Sequence, residues 1–358
     1  MKILFLNTNL GYAGAEKMIA WVANQCAING FEVTFLTYRE DFNFQQLHKS
    51  IRHIHVHLED DGASFNLLST VWYLHKFIKK ECFDVAIAFL SPSILRLSLA
   101  AIGTTTKVLV SQRGDPYVKY KKTGLKYKLA HWANNFAFRN ADAFVFQTKQ
   151  AMNFYRLSKQ KHSIVIPNPI KPLVRTMSRT GNVRNVIVNV GRIDFYQKRQ
   201  DLLVESFLKI REKYPDVVLE FYGDGEDEGK LLNLIDGIEQ IKYMGKTQDV
   251  ASVIQNAAIF VLSSDFEGIP NALLEAMSLG VPCISTDCSP GGAALLINNQ
   301  QNGLLVPRSD SEQLSKAMSY YLDNYETAEL HGISAMKVVE DFSEERISKM
   351  WINFIMQL

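Results

Sequence analysis

The chain has 358 residues, of which 47% are hydrophobic and 21% charged, and its formal net charge is +2. That length favours two globular domains, and the composition excludes a disordered or collagen-like chain. No apolar run approaches the roughly 18 residues of a membrane-spanning helix, and the four cysteines lack the spacing of a metal site, which indicates a reducing compartment.

Charge is distributed unevenly along the chain. Residues 1–170 contain 21 Lys and Arg against 11 Asp and Glu, a formal charge of +10, whereas the remaining residues carry −8. A basic half of this kind suggests that one domain meets an anionic surface or substrate. Uneven surface charge without a partner is the alternative interpretation.

Short apolar segments alternate with helical stretches through the first half of the chain. Strands are predicted at Lys2–Leu6, Glu32–Thr37, Ile51–Leu58, Phe83–Phe89, Lys107–Ser111, Ala143–Gln147 and Ser163–Ile166. Helices are predicted at Gly14–Asn29 and Leu67–Lys80. This alternation is typical of a parallel sheet covered by helices. The prolines of Pro167–Pro172 interrupt regular structure, so we expect a domain boundary near residue 170.

A second alternating series follows. Its predicted strands are Val186–Val190, Val217–Tyr222, Ile241–Tyr243, Ile259–Leu262 and Cys283–Ser285, and its predicted helices include Asn271–Leu279 and Ser311–Asn324. The last segment, Ser343–Leu358, has the apolar spacing of an amphipathic helix. We therefore expect one α/β domain over residues 1–170, a second over 171–342 and a separate helix over 343–358.

Two carboxylates flank a turn in the second series. Glu267 follows the predicted strand Ile259–Leu262, and Glu275 lies about one turn inside the helix that begins at Asn271. In open α/β sheets, ligands bind at the carboxyl ends of the strands, and a helix N-terminus offers free N–H groups to phosphate. The arrangement therefore predicts a ligand site in this loop.

Basic and glycine-rich segments follow other predicted strands. Arg192 and Lys198 come after Val186–Val190, and a planar guanidinium and a mobile ammonium suit the oxygens of a diphosphate. Gly223 follows the next strand and Gly14 begins the first helix, where glycine lets the backbone approach a phosphate. The acidic residues after Gly223 are interpreted as a loop and first helical turn rather than a metal site.

Two further segments follow the strand Lys107–Ser111. Arg113 and Asp115 would face a ligand at its end, or would form a local pair that stabilises the turn. Residues 116–141 then contain no acid, and their basic and aromatic residues suit a helix on anionic lipid, or a core helix with a solvated lysine face. The residues expected to contact the membrane are Lys119, Lys121, Lys122, Lys126, Lys128 and Trp132. No motif that reads RNA or DNA is present, so no nucleic-acid partner is expected.

Five segments together resemble the motifs of the retaining family-4 glycosyltransferases, of the type that assembles bacterial surface polysaccharides: residues 11–16, 111–116, 191–198, 222–225 and 267–275. Glu267 and Glu275 match the E-x7-E motif of that family. Gln112 departs from the glutamate that many relatives carry. The resemblance implies the α/β GT-B fold, with two Rossmann-like doubly wound parallel-sheet domains, an interdomain cleft and a C-terminal helix that crosses back to the first domain.

The resemblance also implies the reaction. A hexose or N-acetylhexosamine would move from a nucleotide-diphosphate sugar, with UDP as the expected nucleotide, to a lipid-linked or oligosaccharide acceptor, with retention of the anomeric configuration. The product would be a surface glycan such as capsule, O-antigen or cell-wall polysaccharide. The enzyme would act at the cytoplasmic face of the cell membrane. It would need no metal or other cofactor, because Arg192 and Lys198 would do the work of a divalent ion.

The expected roles of the residues follow from the same resemblance. Glu267, Arg192 and Lys198 are expected to be catalytic, Glu275 to hold the ribose, and Arg113 and Asp115 to bind the acceptor. The expected donor-binding set is Gly14, Arg192, Lys198, Gly223, Gly245, Gly268, Ile269, Pro270, Asn271, Leu274 and Glu275.

Two alternatives remain open from the sequence. An NAD-dependent Rossmann oxidoreductase would explain the loop at Gly11–Glu16 and an acid at Glu40 or Asp41, but Ala13 breaks the G-x-G-x-x-G pattern. It would also leave the basic pair and the two glutamates unexplained. A non-catalytic, membrane-associated protein that kept the GT-B fold is the second alternative, and it predicts no donor binding.

Overall fold

The computed structural model describes residues 1–11, 14–38, 45–56, 67–89, 91–119, 132, 135–155, 162–170 and 184–358. The chain forms two compact units. Unit 1 consists of Met1–Pro167 and Ile347–Leu358, and unit 2 of Asn168–Arg346. Each unit is a parallel sheet with helices, so the predicted fold class is confirmed.

Within the described part of unit 1, seven parallel strands form one sheet in the order β3-β2-β1-β4-β5-β6-β7. The strands are β1 Lys2–Asn7, β2 Glu32–Thr37, β3 Arg52–His55, β4 Val85–Ala88, β5 Lys107–Gln112, β6 Ala143–Phe146 and β7 His162–Val165. The helices are α1 Gly14–Ile28, α2 Leu67–Glu81, α3 Ser91–Ala100, α4 Pro116–Lys119, α5 at residues 135–140 and α6 Lys149–Phe154. The strand order reverses between β1 and β4, as in a doubly wound sheet.

The core of unit 1 includes the last helix of the chain, α15 (Glu344–Ile355). Ile347, Trp351 and Ile355 recur at helical spacing, are fully buried, and pack in one cluster with side chains of β1 and β4. The indole of Trp351 stacks on the ring of Phe89 with a centroid distance of 5.6 Å. The amphipathic pattern of residues 343–358 therefore corresponds to a helix that covers one face of the unit 1 sheet.

In the described residues of unit 2, six parallel strands form a sheet in the order β10-β9-β8-β11-β12-β13. The strands are β8 Arg184–Val190, β9 Val218–Tyr222, β10 Ile241–Gly245, β11 Ala257–Leu262, β12 Cys283–Thr286 and β13 Leu304–Val306. The helices are α7 Gln200–Leu208, α8 Glu228–Ile235, α9 Val250–Gln255, α10 Asn271–Ser278, α11 Gly292–Leu296, α12 Ser311–Asp323, α13 Tyr325–Ala335 and α14 Val338–Asp341. Buried apolar clusters lie on both faces of this sheet, which is typical of parallel sheets.

Several elements escape prediction from the sequence, and for three of them the reason is identifiable. Strand β13 has only three residues. Helix α3 buries Ser93 and Ser98 beside its apolar side chains, which weakens its pattern. Helix α13 buries mainly small residues, and Gly332 lies so close to the turn after α10 that a Cβ there would meet the Gly280 carbonyl oxygen at 2.3 Å. Close packing through small residues leaves no apolar periodicity to read.

Helix α13 also buries a titratable group. The imidazole Nδ1 of His331 lies 2.9 Å from the Tyr321 hydroxyl, and burial lowers the pKa of His331 below its ordinary value. In the unfolded chain the imidazole has a pKa of about 6.5, whereas in the folded protein it takes up the proton only at lower pH. The contribution of His331 to the free energy of unfolding is therefore fully present above about pH 6.5 and is lost as the pH falls through the pKa of the folded state.

We expect the free energy of unfolding to fall more between pH 7 and pH 5 in the parent protein than in His331→Gln, because the variant lacks the titrating imidazole. Urea unfolding at pH 7, 6 and 5 measures the difference, and other titrating groups cancel in the comparison. Ser334→Ala, at an exposed position of the same helix, is the control and should keep the parent slope, because it removes no titratable group. Equal slopes for the parent and His331→Gln would contradict the prediction.

Candidate active site

The carboxyl ends of the unit 2 strands bring several predicted site residues to one edge of the sheet. Strands β8 and β11 are neighbours and parallel, so the loops that follow them leave the sheet on the same side. Arg192 and Lys198 lie in the loop after β8, Gly223 follows β9, and Glu267 lies in the loop after β11. The candidate active site of unit 2 is built from these loops.

Lys198 and Glu267 contact each other directly. The Nζ of Lys198 donates to Oε1 of Glu267 at 2.5 Å, and Glu267 is 8% exposed. The Ser264 hydroxyl donates to the same oxygen at 2.8 Å, and Gln197 Nε2 lies 3.4 Å from Oε2. The backbone N–H of Glu267 donates to the Ser289 carbonyl at 2.7 Å. A carboxylate and an ammonium group are thus held together at the strand ends, with the carboxylate oriented by several donors.

Arg192 joins the same network through Gln197. Its Nη2 donates to Asp194 Oδ2 at 2.7 Å and to Gln197 Oε1 at 3.0 Å, and its side chain is 59% exposed. Gln200 is fully buried, and its amide donates to the Arg192 carbonyl at 2.8 Å, which fixes the backbone of the loop. Gln197 was not predicted as a site residue; its position between the two basic residues is the signal that could have identified it.

Glycines allow the strand-end loops of β8 and β9 to approach closely. Gly223 has φ +135°, and a Cβ there would lie 1.9 Å from the Gly191 carbonyl oxygen. The N–H of Gly223 donates at 2.9 Å to the carbonyl of Gly245, whose own φ is +71°. Both predicted glycines therefore have backbone conformations that L side chains rarely adopt. The close approach beside Gly191 brings the turn after β9 against the loop that carries Arg192.

A second close contact lies beside Glu267. A Cβ on Gly292 would lie 1.7 Å from the Gly268 carbonyl oxygen. Gly292 begins α11, and its lack of a side chain lets the segment after β12 support the loop that contains Glu267. Gly292 was not predicted as a site residue, although the Gly291-Gly292 dipeptide is a sequence signal for a turn or close approach.

The start of α10 follows this loop. Pro270 is the N-cap residue and provides no side-chain hydrogen bond, so the first N–H groups of the helix depend on other acceptors. Asn271 begins the helix and is exposed, and its Oδ1 accepts from Asn168 Nδ2 at 3.2 Å. Glu275 lies one turn further along the helix and is half-buried.

Two residues of the predicted donor-binding set belong to the apolar core. Ile269 is 6% exposed and Leu274 is 2% exposed, and both pack in the cluster beneath α10. The N–H of Leu274 donates to the Pro270 carbonyl at 3.1 Å. The structure therefore gives Leu274 a supporting position under the loop, with neither its side chain nor its N–H directed to solvent.

Other predicted site residues lie in unit 1. Gly14 begins α1, and apart from that helix and the chain neighbours no described residue places an atom within 4 Å of the position of a Cβ. The Arg113 guanidinium lies over the ring of Phe89 at 4.7 Å and that of Trp351 at 5.8 Å, and burial lowers the pKa of Arg113 to about 9. Asp115 Oδ1 accepts from the N–H of Tyr117 at 2.8 Å at the start of α4.

The predicted membrane residues are mostly outside the described residues. Lys121, Lys122, Lys126 and Lys128 lie there, as does the side chain of Lys119. Trp132 is 70% exposed, and its ring stacks on Phe136. Among the helices described, none is both long and apolar enough to cross a bilayer. The described ranges likewise contain no group of three or more His, Cys, Asp or Glu arranged to hold a metal ion.

Comparison with known proteins assigns the family. Residues 13–169 match the model of the glycosyl transferase 4-like domain, and residues 184–324 match that of the glycosyl transferases group 1. The chain belongs to the family-4 type of GT-B glycosyltransferases, and the predicted family is confirmed. The family assignment excludes the alternative of an NAD-dependent Rossmann oxidoreductase.

Similar proteins agree with this assignment over nearly the whole chain. An uncharacterized glycosyltransferase of Haemophilus influenzae is 25% identical over 98% of both chains. The GalNAc-α-(1→4)-GalNAc-α-(1→3)-diNAcBac-PP-undecaprenol α-1,4-N-acetyl-D-galactosaminyltransferase of Campylobacter jejuni is 22% identical over 100% of this chain and 99% of its own. The crystal structure of Anabaena HepE with UDP has a TM-score of 0.81 at 16% identity over 100% of both chains, and HepE was also solved with UDP-glucose.

Proposed function

We propose that this chain transfers a hexose or N-acetylhexosamine from a UDP-sugar to a lipid-linked or oligosaccharide acceptor in the synthesis of a surface polysaccharide, with retention of the anomeric configuration. The observation that carries the proposal is the contact between Lys198 and Glu267 at the carboxyl ends of β8 and β11. This contact places a positive charge and a fixed carboxylate beside each other, next to Arg192 and Gln197.

The chemistry of sugar transfer needs both charges. Negative charge develops on the diphosphate as it leaves, and Lys198 and Arg192 would stabilise it through charge-assisted hydrogen bonds. The sugar becomes positively charged in the transition state, and Glu267 would orient its hydroxyl groups. Because Ser264, Gln197 and Lys198 all donate to Glu267, the carboxylate is oriented before the donor binds.

The same basic pair supports transfer without a metal ion. A divalent cation in a phosphate site would neutralise the charge that two basic side chains can neutralise here. Retention fits a mechanism in which the acceptor attacks from the side of the departing phosphate, because no side chain of the loop network is placed as an obvious covalent nucleophile. Analysis of the product anomer by NMR tests the stereochemical part of the proposal.

The choice of donor and acceptor class rests on the similar proteins. HepE binds UDP and UDP-glucose, which supports a uridine nucleotide for this chain. The Campylobacter relative is named for an undecaprenyl-diphosphate-linked acceptor, which supports a lipid-linked saccharide. The +10 charge of residues 1–170 would favour binding to anionic lipid, so we place the enzyme at the cytoplasmic face of the membrane.

We expect UDP to stabilise the parent protein more than GDP or ADP does in a thermal-shift measurement, since a ligand stabilises in proportion to ln(1 + [L]/Kd). In UDP titrations, Lys198→Ala and Glu275→Ala should bind roughly 10- to 150-fold more weakly, the loss expected for a charge-assisted hydrogen bond. EDTA should leave binding and transfer unchanged.

Lys213→Ala is the matched control, because Lys213 forms an exposed ion pair with Asp323 on another part of unit 2. It should bind UDP as the parent does. Equal affinity of the parent, Lys198→Ala and Glu275→Ala would refute the site assignment. Tight UDP binding without any sugar transfer would favour the non-catalytic alternative, and activity that requires added Mg²⁺ or Mn²⁺ would refute metal independence.

A further inference from the structure

Arg199, the residue after Lys198, has an unusual backbone conformation. Its φ is 52° and its ψ is 47°, in the left-handed region, and it is the N-cap residue of α7 without a side-chain capping hydrogen bond. Glycine adopts this conformation readily, whereas other residues do so at a cost. Such a conformation persists when the surroundings hold it, and it is common at functional sites. The contacts of the Arg199 side chain therefore indicate what holds its backbone in this conformation.

The guanidinium of Arg199 connects three loops at the carboxyl edge of the unit 2 sheet. Its Nη1 donates to Asp265 Oδ2, after β11, and to the Ser309 hydroxyl, after β13, both at 3.0 Å. Its Nε donates to Asp201 in α7 at 3.1 Å. The Ser309 hydroxyl in turn donates to Asp265 Oδ1 at 3.1 Å. Ser309 also has a left-handed backbone, with φ 54°, so two unfavourable conformations are joined by one hydrogen bond.

Asp265 connects this cluster to the candidate active site. Its N–H donates to the Gln197 carbonyl at 2.9 Å, and its carbonyl accepts from the N–H of Ser289 at 3.0 Å. Ser289 is the residue whose carbonyl accepts from the N–H of Glu267. Asp265 therefore fixes the loop on both sides of the Lys198–Glu267 contact, and Arg199 fixes Asp265.

We propose that Arg199 is a positioning residue for sugar transfer. It acts through its own backbone on Lys198 and through Asp265 on Glu267, and it holds the two reactive side chains at the separation that the reaction needs. The Asp201 contact alone would serve only the start of α7. The contacts to Asp265 and Ser309 are those that reach the other loops. The inference rests on the proposed function, since it concerns the turnover of a UDP-sugar.

The test compares Arg199→Gly with the parent, with UDP-glucose and UDP-N-acetylglucosamine as donors, water as the acceptor of the sugar, and the resulting release of UDP as the readout. Glycine keeps the left-handed backbone, so the melting temperature should change little. We expect kcat to fall about 10- to 100-fold, the loss that a small misplacement of reacting groups produces, with little change in KM for the donor. Arg199→Lys should recover part of kcat, because an ammonium reaches Asp265 but lacks the fork that also contacts Ser309.

A double-mutant cycle separates positioning from a purely structural role. In a Glu267→Gln background, Arg199→Gly should cost much less than in the parent, because the carboxylate that it positions has been removed. Asp201→Ala is the matched control: it removes the local contact, keeps those to Asp265 and Ser309, and should leave kcat near the parent value. An unchanged kcat in Arg199→Gly would overturn the proposal. The same holds if Arg199→Gly lowers kcat by as large a factor in the Glu267→Gln background as in the parent. A parent that releases no UDP from any donor would instead refute the proposed function.

Discussion

Lys198→Ala should lower the rate of sugar transfer by about 100- to 1,000-fold, the loss measured when a single electrostatic contact to a developing charge is removed. Two effects add in this variant. The leaving diphosphate loses a cation, and the Glu267 carboxylate, only 8% exposed, loses a charged partner. Initial rates of UDP release from a UDP-sugar measure the first effect, and chemical unfolding measures the second.

The two effects can be separated with a second substitution. Removing one partner of a buried ion pair leaves an uncompensated charge, which costs about 3–5 kcal/mol in a fully buried pair and less where, as here, the lysine side chain is 20% exposed. Lys198→Ala combined with Glu267→Gln should therefore be more stable than Lys198→Ala alone, yet remain inactive. Lys213→Ala removes an exposed ion pair of similar length, at 2.7 Å, and should change neither rate nor stability by much.

Full activity in Lys198→Ala would contradict the assignment of the leaving-group role. A loss of activity in Lys213→Ala as large as that in Lys198→Ala would show that the assay reports general damage to unit 2. If the double variant is less stable than Lys198→Ala, the contact between Lys198 and Glu267 does not dominate the electrostatics of this loop.

The sequence was sufficient for the strand-end positions of Lys198 and Glu267, because both lie where an apolar strand gives way to a helix. Such a transition is visible in the pattern of side chains, and in a parallel sheet it defines one edge. The strand order was not predicted, since no local pattern specifies which parallel strands become neighbours. The contact between the two residues needed the structure, because they are far apart in the chain.

Supporting residues were harder to predict for a different reason. Gln197 and Ser264 are common surface residue types, and only their hydrogen bonds to Glu267 distinguish them. Gly292 is needed because the Gly268 carbonyl lies against it, a contact between two separate loops. Arg199 resembles a solvated residue in sequence, whereas the structure gives it a left-handed backbone and partners in two other loops.

In unit 1, too, contacts between segments distant in the chain could not be predicted from the sequence. The residues of β5 and the turn after it were predicted from a local pattern, which left open whether Arg113 faces a ligand or forms a local pair with Asp115. In the structure the Arg113 guanidinium lies over Phe89 from the end of β4 and Trp351 from the last helix. The second ring comes from the other end of the chain, so its place beside Arg113 depends on where α15 packs, and no spacing in the sequence encodes that.

Gly223→Ala should destabilise unit 2 by about 2–4 kcal/mol, because the substitution combines an unfavourable backbone conformation with a steric overlap. The φ of +135° is rarely adopted by L side chains, and the new Cβ would lie 1.9 Å from the Gly191 carbonyl oxygen. The backbone on one side must therefore shift. Because Gly191 immediately precedes Arg192, we also expect UDP binding to weaken.

The control for this prediction is Gly229→Ala, six residues further along the chain. Gly229 lies in α8 and is exposed, and apart from that helix and the chain neighbours no described residue places an atom within 4 Å of the position of a Cβ. Alanine there should be neutral or stabilising by up to about 1 kcal/mol, since it has the higher helix propensity. Urea unfolding of both variants, with UDP titration of the folded protein, makes the comparison. If Gly223→Ala unfolds at the same urea concentration as the parent, the turn after β9 tolerates a side chain. In that case its close approach to Gly191 does not constrain the loop that carries Arg192 and Lys198.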